Sequence, residues 1–165
     1  MASSLHFSGG LLFAALVLGP GLPRDHTAEL RVRFQREMNP VHKAELMQKL
    51  GAAEFREIER DVTNRQFHDA LQILGQYHSE VVQCSKELDH ANIDPVKKPS
   101  GFKQLQISVR EALERIDRLI STMTSDEQVQ FRHDRDDLET LNSHLLQELF
   151  PRERPRRNYH HIPIP

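Results

Sequence analysis

The chain has 165 residues, of which 38% are hydrophobic and 28% charged, with no tryptophan and a formal net charge of −2. This length corresponds to a single domain, whose core must be mostly aliphatic. The charge balance lacks the positive excess that binding to a polyanion requires, so we expect no nucleic-acid partner.

The first feature along the chain is an apolar run, Leu11–Leu18, within residues 1–21. A helix needs about 20 apolar residues to cross a bilayer, so this run predicts no stable transmembrane span. Its length fits the apolar region of a secretory signal, and the small residues Gly19 and Gly21 suit cleavage after Gly21. We therefore predict a signal peptide over 1–21 and a secreted or periplasmic protein. The alternative is an apolar N-terminal segment that packs on the body.

Residues 22–150 are predicted to form one helical domain. Its first segment, 27–38, is ambiguous, because alternating apolar residues suit a strand while Leu30, Phe34 and Met38 follow helical spacing. No partner strand is apparent elsewhere, and a lone strand cannot satisfy its backbone hydrogen bonds. We predict a helix here.

Two long apolar stripes follow the heptad spacing of packed helices. The first stripe consists of Phe67, Ala70, Leu74, Tyr77, Val81, Cys84, Leu88 and Ala91. The second stripe consists of Phe102, Leu105, Val109, Ala112, Ile116, Leu119 and Met123. Gly75 interrupts the first stripe, which predicts a close helix contact or a bend at this residue.

Two further helices are marked by their ends and by less regular apolar faces. Asn39 and Pro40 form a cap followed by a first-turn proline, and Ser125 with Gln128 forms a predicted capping box. The inward residues of these two helices are predicted to be Met47, Leu50, Phe55, Ile58 and Val62, and Phe131, Leu138, Leu141, Leu145 and Leu149.

The short loops at 63–65 and 123–125 require antiparallel neighbours. The predicted fold is therefore all-α: two antiparallel helical hairpins form a four-helix-bundle-like domain, with an extra N-terminal helix. The segment 151–165 contains four prolines and no periodicity, which predicts a disordered tail. Its arginines either keep the tail solvated or make weak contact with an anionic surface.

The histidines raise the question of a metal site. Three pairs have helical ligand spacing, and 87–90 has the Glu-x-x-His spacing of bundle di-iron proteins, which require two such motifs. Only one is present, and the charged residues lie off the apolar stripes. We interpret these groups as solvated helix-face charges and predict no metal and no cofactor. The pairs are Glu87/His90, His133/Asp137 and His144/Glu148.

Cys84 is the only cysteine, so an internal disulfide is excluded. Its position on an apolar stripe predicts a small buried hydrophobe rather than a reactive thiol. The alternative is an intermolecular disulfide through Cys84.

No motif of nucleophilic, metallopeptidase, dithiol or phosphate-loop chemistry occurs in the sequence, so we predict that the protein is not an enzyme. The leading hypothesis is an exported helical protein that acts through contacts with a protein partner or with its own copies, as a scaffold or accessory subunit. Phe34, Met38 and Met47 are the predicted contact surface, because methionine side chains adapt to varied partners.

The stretch MTSDEQ at 123–128 is similar to the L-T-x-x-Q motif of the Spy-like periplasmic helical chaperones. This resemblance implies a second hypothesis, a small periplasmic chaperone or a metal-responsive helical protein. A third class, an enzyme with an unrecognised site, requires buried and perturbed titratable groups in a concave pocket. The apolar stripes offer no position for such a group.

Overall fold

The computed structural model describes residues 23–151. This part of the chain consists of five helices and contains no strand. The helices are α1 Pro23–Arg36, α2 Pro40–Thr63, α3 Phe67–His90, α4 Ser100–Ile120 and α5 Ser125–Leu149. The prediction of an all-α fold is confirmed, and so is the helical interpretation of 27–38, which α1 contains up to Arg36. None of the described helices is long and apolar enough to span a bilayer.

The ends of α2 and α5 show how local side chains set the helix boundaries. The Asn39 side chain accepts hydrogen bonds from the backbone N–H groups of Val41 and His42, at 2.9 and 3.2 Å, as predicted for a cap before Pro40. The capping box of α5 lies one residue earlier than predicted, because Thr124 and not Ser125 has the extended backbone of a cap residue. Glu127 accepts from the Thr124 N–H at 2.9 Å.

The four long helices pair as two hairpins, α2 with α3 and α4 with α5. Helix α2 also packs along α4, and α3 along α5, so each helix touches a neighbour in its own hairpin and one in the other. The N-terminal turns of α2 and α4 meet at Val41 and Gly101. Their C-terminal halves meet at Glu59 and Arg115, 2.7 Å apart. The two hairpins therefore run parallel to each other, and the predicted bundle of two hairpins is confirmed.

The predicted apolar stripes form one shared core. Most of their residues are buried, and Leu119 and Phe67 are partly buried at its margin. Only Ala91, beyond the last turn of α3, is exposed. At about 25 cal/mol per Å² of buried apolar surface, this shared core is the main stabilising contribution.

The close helix contact is at Gly51 and not at Gly75. A Cβ atom at Gly51 would lie 2.7 Å from the ring of Tyr77, whereas one at Gly75 would meet nothing within 4 Å. Of the two alternatives predicted for Gly75, the close helix contact is therefore wrong. The space at Gly51 admits the buried Tyr77 ring, whose hydroxyl donates to the Ser108 carbonyl at 3.1 Å.

Helix α1 packs against α2 and buries Leu30 and Phe34. The predicted signal peptide at 1–21 and the predicted disordered tail at 152–165 lie outside the described residues.

Candidate functional site

Four buried carboxylates lie on α2 and α3, and Arg31 of α1 contacts two of them, Glu54 and Glu80. Glu54, Glu57 and Asp61 come from α2 and Glu80 from α3, and none is more than 9% exposed. We call these four residues the acidic groove. Their presence contradicts the expectation that charged residues lie off the apolar stripes. Glu54, Glu57 and Asp61 follow Met47 and Leu50 at the same helical spacing. This spacing could have predicted that the three carboxylates are buried, but the sequence analysis considered the spacing of apolar residues alone.

Arg31 of α1 is the cation that enters the acidic groove from above. Its guanidinium donates to Glu54 at 2.6 Å and to Glu80 at 3.2 Å, so one side chain bridges α2 and α3. Gln76 adds a hydrogen bond to the same Glu80 oxygen at 3.3 Å. Charge-assisted bonds of this kind are stronger than neutral ones, and here they fix the position of α1 over the α2–α3 hairpin.

The protonation of this cluster is unusual. The pKa of Glu54 is raised to about 8 by burial and, as a smaller cause, by the nearby negative charge of Glu80, against the opposing effect of Arg31. Burial also raises the pKa of Glu80, while Arg31 lowers it. Two carboxylates that share one guanidinium in a desolvated site do not both ionise easily. Glu54 therefore holds a proton at neutral pH.

Each carboxylate of the acidic groove leaves one buried oxygen without a hydrogen-bond partner in the structure: Glu54 Oε2, Glu57 Oε1, Asp61 Oδ2 and Glu80 Oε2. A buried polar atom without a partner costs about 1–3 kcal/mol. The other oxygen of Asp61 accepts hydrogen bonds from Arg60 at 2.9 and 3.0 Å. With Glu54 protonated, Glu80 beside Arg31 and Asp61 beside Arg60, most of the charge of these carboxylates is compensated within the protein.

A cavity of about 250 Å³ adjoins the groove where α1 crosses α2. Thr27 of α1 and Glu57 of α2 lie on its wall, and Thr27 is itself buried. The remaining wall is formed by His26, Ala53, Arg56 and Arg60.

The structure separates the three residues predicted as a contact surface. Phe34 and Met47 are 1% and 0% exposed, so the prediction that they offer a free surface was wrong. Phe34 faces α2, where the Lys43 ammonium lies 5.4 Å from its ring centroid. Only Met38 is exposed, at 89%, because it follows the last residue of α1 and no helix covers it.

Cys84 is fully buried in α3 and makes no disulfide. Burial, with the Glu87 charge as a smaller cause, raises the pKa of its thiol to about 12. A thiol that is neither exposed nor ionised does not form a disulfide with another chain, so the intermolecular alternative is contradicted.

Of the three predicted histidine pairs, the structure brings only His133 and Asp137 into contact. His133 Nδ1 lies 3.3 Å from Asp137, and His144 Nε2 lies 3.7 Å from Asp89 of α3. Glu87 pairs with Lys43 at 2.8 Å. Within residues 23–151, no group of three or more His, Cys, Asp or Glu side chains is arranged to hold a metal ion.

A second surface feature lies at the end of the bundle where α2 and α4 begin and α3 and α5 end. Four of the six large apolar side chains that are exposed in residues 23–151 lie there. We call this surface the apolar end: Met38, Val96, Leu146 and Phe150, which are 89%, 57%, 37% and 72% exposed. The sequence analysis did not predict the exposure of Val96, Leu146 and Phe150. Exposure at the end of a bundle depends on which chain segments meet there, and the spacing of residues does not show this.

No protein-family model, curated protein or solved structure gives a significant match to this chain.

Proposed function

We propose that the protein is a non-enzymatic helical bundle that acts through protein contacts, as a scaffold or accessory subunit, and that the apolar end is its contact surface. The observation that supports this proposal is the concentration of exposed apolar side chains at one end of the bundle. Scattered single apolar residues are normal on a protein surface, whereas a concentration of them is typical of an interaction site.

The chemistry of the apolar end fits a protein partner. Methionine and aromatic residues are enriched in the cores of protein interfaces, and Met38 and Phe150 are its two most exposed side chains. Leu146, Phe150 and Pro151 line one surface hollow with Gln147 and Glu148. A partner that inserts an apolar side chain there would remove Phe150 from water, the kind of buried aromatic contact that dominates binding energy.

The test uses a photo-crosslinking amino acid placed at position 150 or, as a control, at position 129. Val129 is 61% exposed and lies at the opposite end of the bundle. In cells that make the protein naturally, we expect one protein, or a second copy of the chain, to crosslink from position 150 and not from 129. Crosslinking that is absent, or equal from both positions, contradicts the proposal.

The purified partner then allows a quantitative test. Phe150→Ser should weaken binding by about tenfold or more, the loss expected for truncating an interface anchor. Val129→Ser should leave affinity unchanged. Equal affinities for the two variants would contradict the proposal that the apolar end is the contact surface.

Export is part of the proposed function and is supported by the apolar run Leu11–Leu18 before two small residues. N-terminal sequencing of the native protein after cell fractionation checks it. We expect a mature chain that begins at Leu22 in the exported fraction. A cytosolic chain that retains Ala2 contradicts export, while the contact proposal stays open to the crosslinking test.

A further inference from the structure

The cavity of about 250 Å³ between α1 and α2 has a wall that combines buried apolar groups with charged ones. Ala53 of α2 and Thr27 of α1 are 2% and 4% exposed and form its buried side. His26, Arg56 and Arg60 form its more exposed side. Pockets for drug-sized ligands have volumes of about 300–1,000 Å³, so this cavity suits a smaller molecule.

Glu57 supplies the negative group of this wall. It is 9% exposed, and its buried Oε1 atom has no hydrogen-bond partner in the structure. Among residues 23–151, no basic side chain pairs with Glu57, since Arg31 contacts Glu54 and Glu80 instead. A buried carboxyl group without a partner costs free energy. An ammonium group in the cavity would supply both a hydrogen-bond donor and a compensating charge.

Two guanidinium groups border the same cavity. Arg56 and Arg60 lie four residues apart, and therefore on one side of α2. Arg60 contacts Asp61 at 2.9 Å, whereas Arg56 is exposed and forms no ion pair within residues 23–151. Guanidinium groups bind carboxylates through charge-assisted and often bidentate hydrogen bonds. The wall therefore holds a carboxyl group without a basic partner and a guanidinium group without an acidic one.

We propose that this cavity is a binding site for a small zwitterion, an α-amino acid with an aliphatic side chain. Its ammonium group pairs with Glu57, its carboxylate pairs with Arg56, and its side chain lies against Ala53 and Thr27. A ligand with a positive charge alone leaves the guanidinium group unpaired, and one with a negative charge alone leaves the buried carboxyl group unpaired. The wall therefore selects a ligand that carries both charges.

This site is distinct from the apolar end, because the cavity adjoins the C-terminal half of α2 and the apolar end is where α2 begins. The two proposals therefore stand or fall separately. Phe150→Ser does not alter the cavity, and substitutions in the cavity wall do not alter Phe150.

The first test compares three ligands that share one carbon skeleton. L-valine carries both charges, isobutylamine lacks the carboxylate, and isovalerate lacks the ammonium group. Each is titrated into the isotope-labelled protein while the backbone amide shifts are followed by NMR. We expect saturable shifts with L-valine, centred on residues 26–27 and 53–60, and an affinity at least about tenfold higher than that of either analogue.

Three outcomes of this titration overturn the proposal. The first is the absence of saturable shifts with L-valine and also with L-alanine and L-leucine. The second is equal affinity for L-valine and either of its single-charge analogues. The third is a set of shifts centred on another part of the chain.

Two substitutions that remove a charge test the assigned roles. Glu57→Gln and Arg56→Gln should each weaken L-valine binding by about tenfold or more, and Glu57→Gln should also remove the preference for L-valine over isovalerate. Glu45→Gln and Lys49→Gln, at exposed positions of the same helix, should keep the wild-type affinity. Wild-type affinity in either Glu57→Gln or Arg56→Gln overturns the proposal.

The ligand comparison on the wild type requires no substitution, so it holds even if these variants fail to fold. Ala53→Leu adds a further test, because it places a larger apolar side chain on the cavity wall. It should abolish L-valine binding while the circular dichroism spectrum stays helical. Binding of L-valine by folded Ala53→Leu at the wild-type affinity would place the ligand outside the cavity and overturn the proposal.

Discussion

At the residue scale, the buried carboxylates dominate the chemistry of the protein. Glu54 is 0% exposed and lies next to the Glu80 carboxylate. The Arg31 guanidinium donates hydrogen bonds to both carboxylates. Burying an ionised carboxylate without full compensation is costly, so the site takes up a proton instead. Arg31 gives the pair its geometry, and the bound proton reduces the repulsion between the two acids.

The first prediction concerns the pH dependence of stability. The pKa of Glu54 rises from 4.5 to about 8 on folding. Its contribution to stability is therefore fully present below about pH 4.5 and is lost as the pH rises through 8, at roughly 1.4 kcal/mol per unit of pKa difference. The wild-type free energy of unfolding should fall across this range.

Glu54→Gln removes the titrating group but keeps an oxygen that accepts from Arg31, so its free energy of unfolding should depend less on pH than that of the wild type. Glu45→Gln, at an exposed position on the same helix, should keep the wild-type profile. Urea unfolding at a series of pH values measures all three. Parallel profiles for wild type and Glu54→Gln would show that Glu54 has an ordinary pKa.

At the element scale, helix α2 is the centre of the bundle because it contacts α1, α3 and α4. Carboxylates face Arg31 of α1, apolar side chains face α3, and Gly51 admits the Tyr77 ring and the hydroxyl of Ser108. Phe55 of α2 packs edge-on against the same Tyr77 ring, with centroids 5.1 Å apart.

The second prediction contrasts two glycine-to-alanine substitutions. Gly51→Ala pushes a methyl group into the buried Tyr77 ring and should destabilise the protein by about 1–3 kcal/mol, the usual cost of overpacking. Gly75→Ala meets open space and should stabilise it by roughly 1 kcal/mol through helix propensity. Thermal unfolding by circular dichroism measures both, and equal effects of the two substitutions would contradict the Gly51 contact.

At the scale of the whole molecule, one continuous core joins all five described helices. Leu105 of α4 and Cys84 of α3 are both 0% exposed members of this core. Residues that share one core unfold together in a domain of this size. A loss of packing in one hairpin should therefore expose residues in the other.

The third prediction uses the Cys84 thiol as a reporter of global unfolding. Leu105→Ala should cost about 2–5 kcal/mol and shift the urea midpoint of thiol reactivity and of helical circular dichroism by the same amount. Val129→Ala, at an exposed position, should move neither midpoint. Separate midpoints for the two probes in Leu105→Ala would mean that the hairpins unfold independently.

The sequence by itself determined the helices, the pairing into hairpins and most of the core. Those properties follow from apolar spacing, capping residues such as Asn39 and short loops, which are local. The burial of Cys84 was predictable for the same reason, since it lies on a regular stripe.

Only the tertiary structure decided which polar residues are buried and which apolar residues stay exposed. Phe34 is buried because α1 packs on α2, and the same packing brings Arg31 to the buried carboxylates Glu54 and Glu80. Met38 and Phe150 are exposed because, within residues 23–151, the segments at their end of the bundle do not cover them. Exposure at such positions depends on how distant segments pack, and the spacing of residues within one helix does not contain that information.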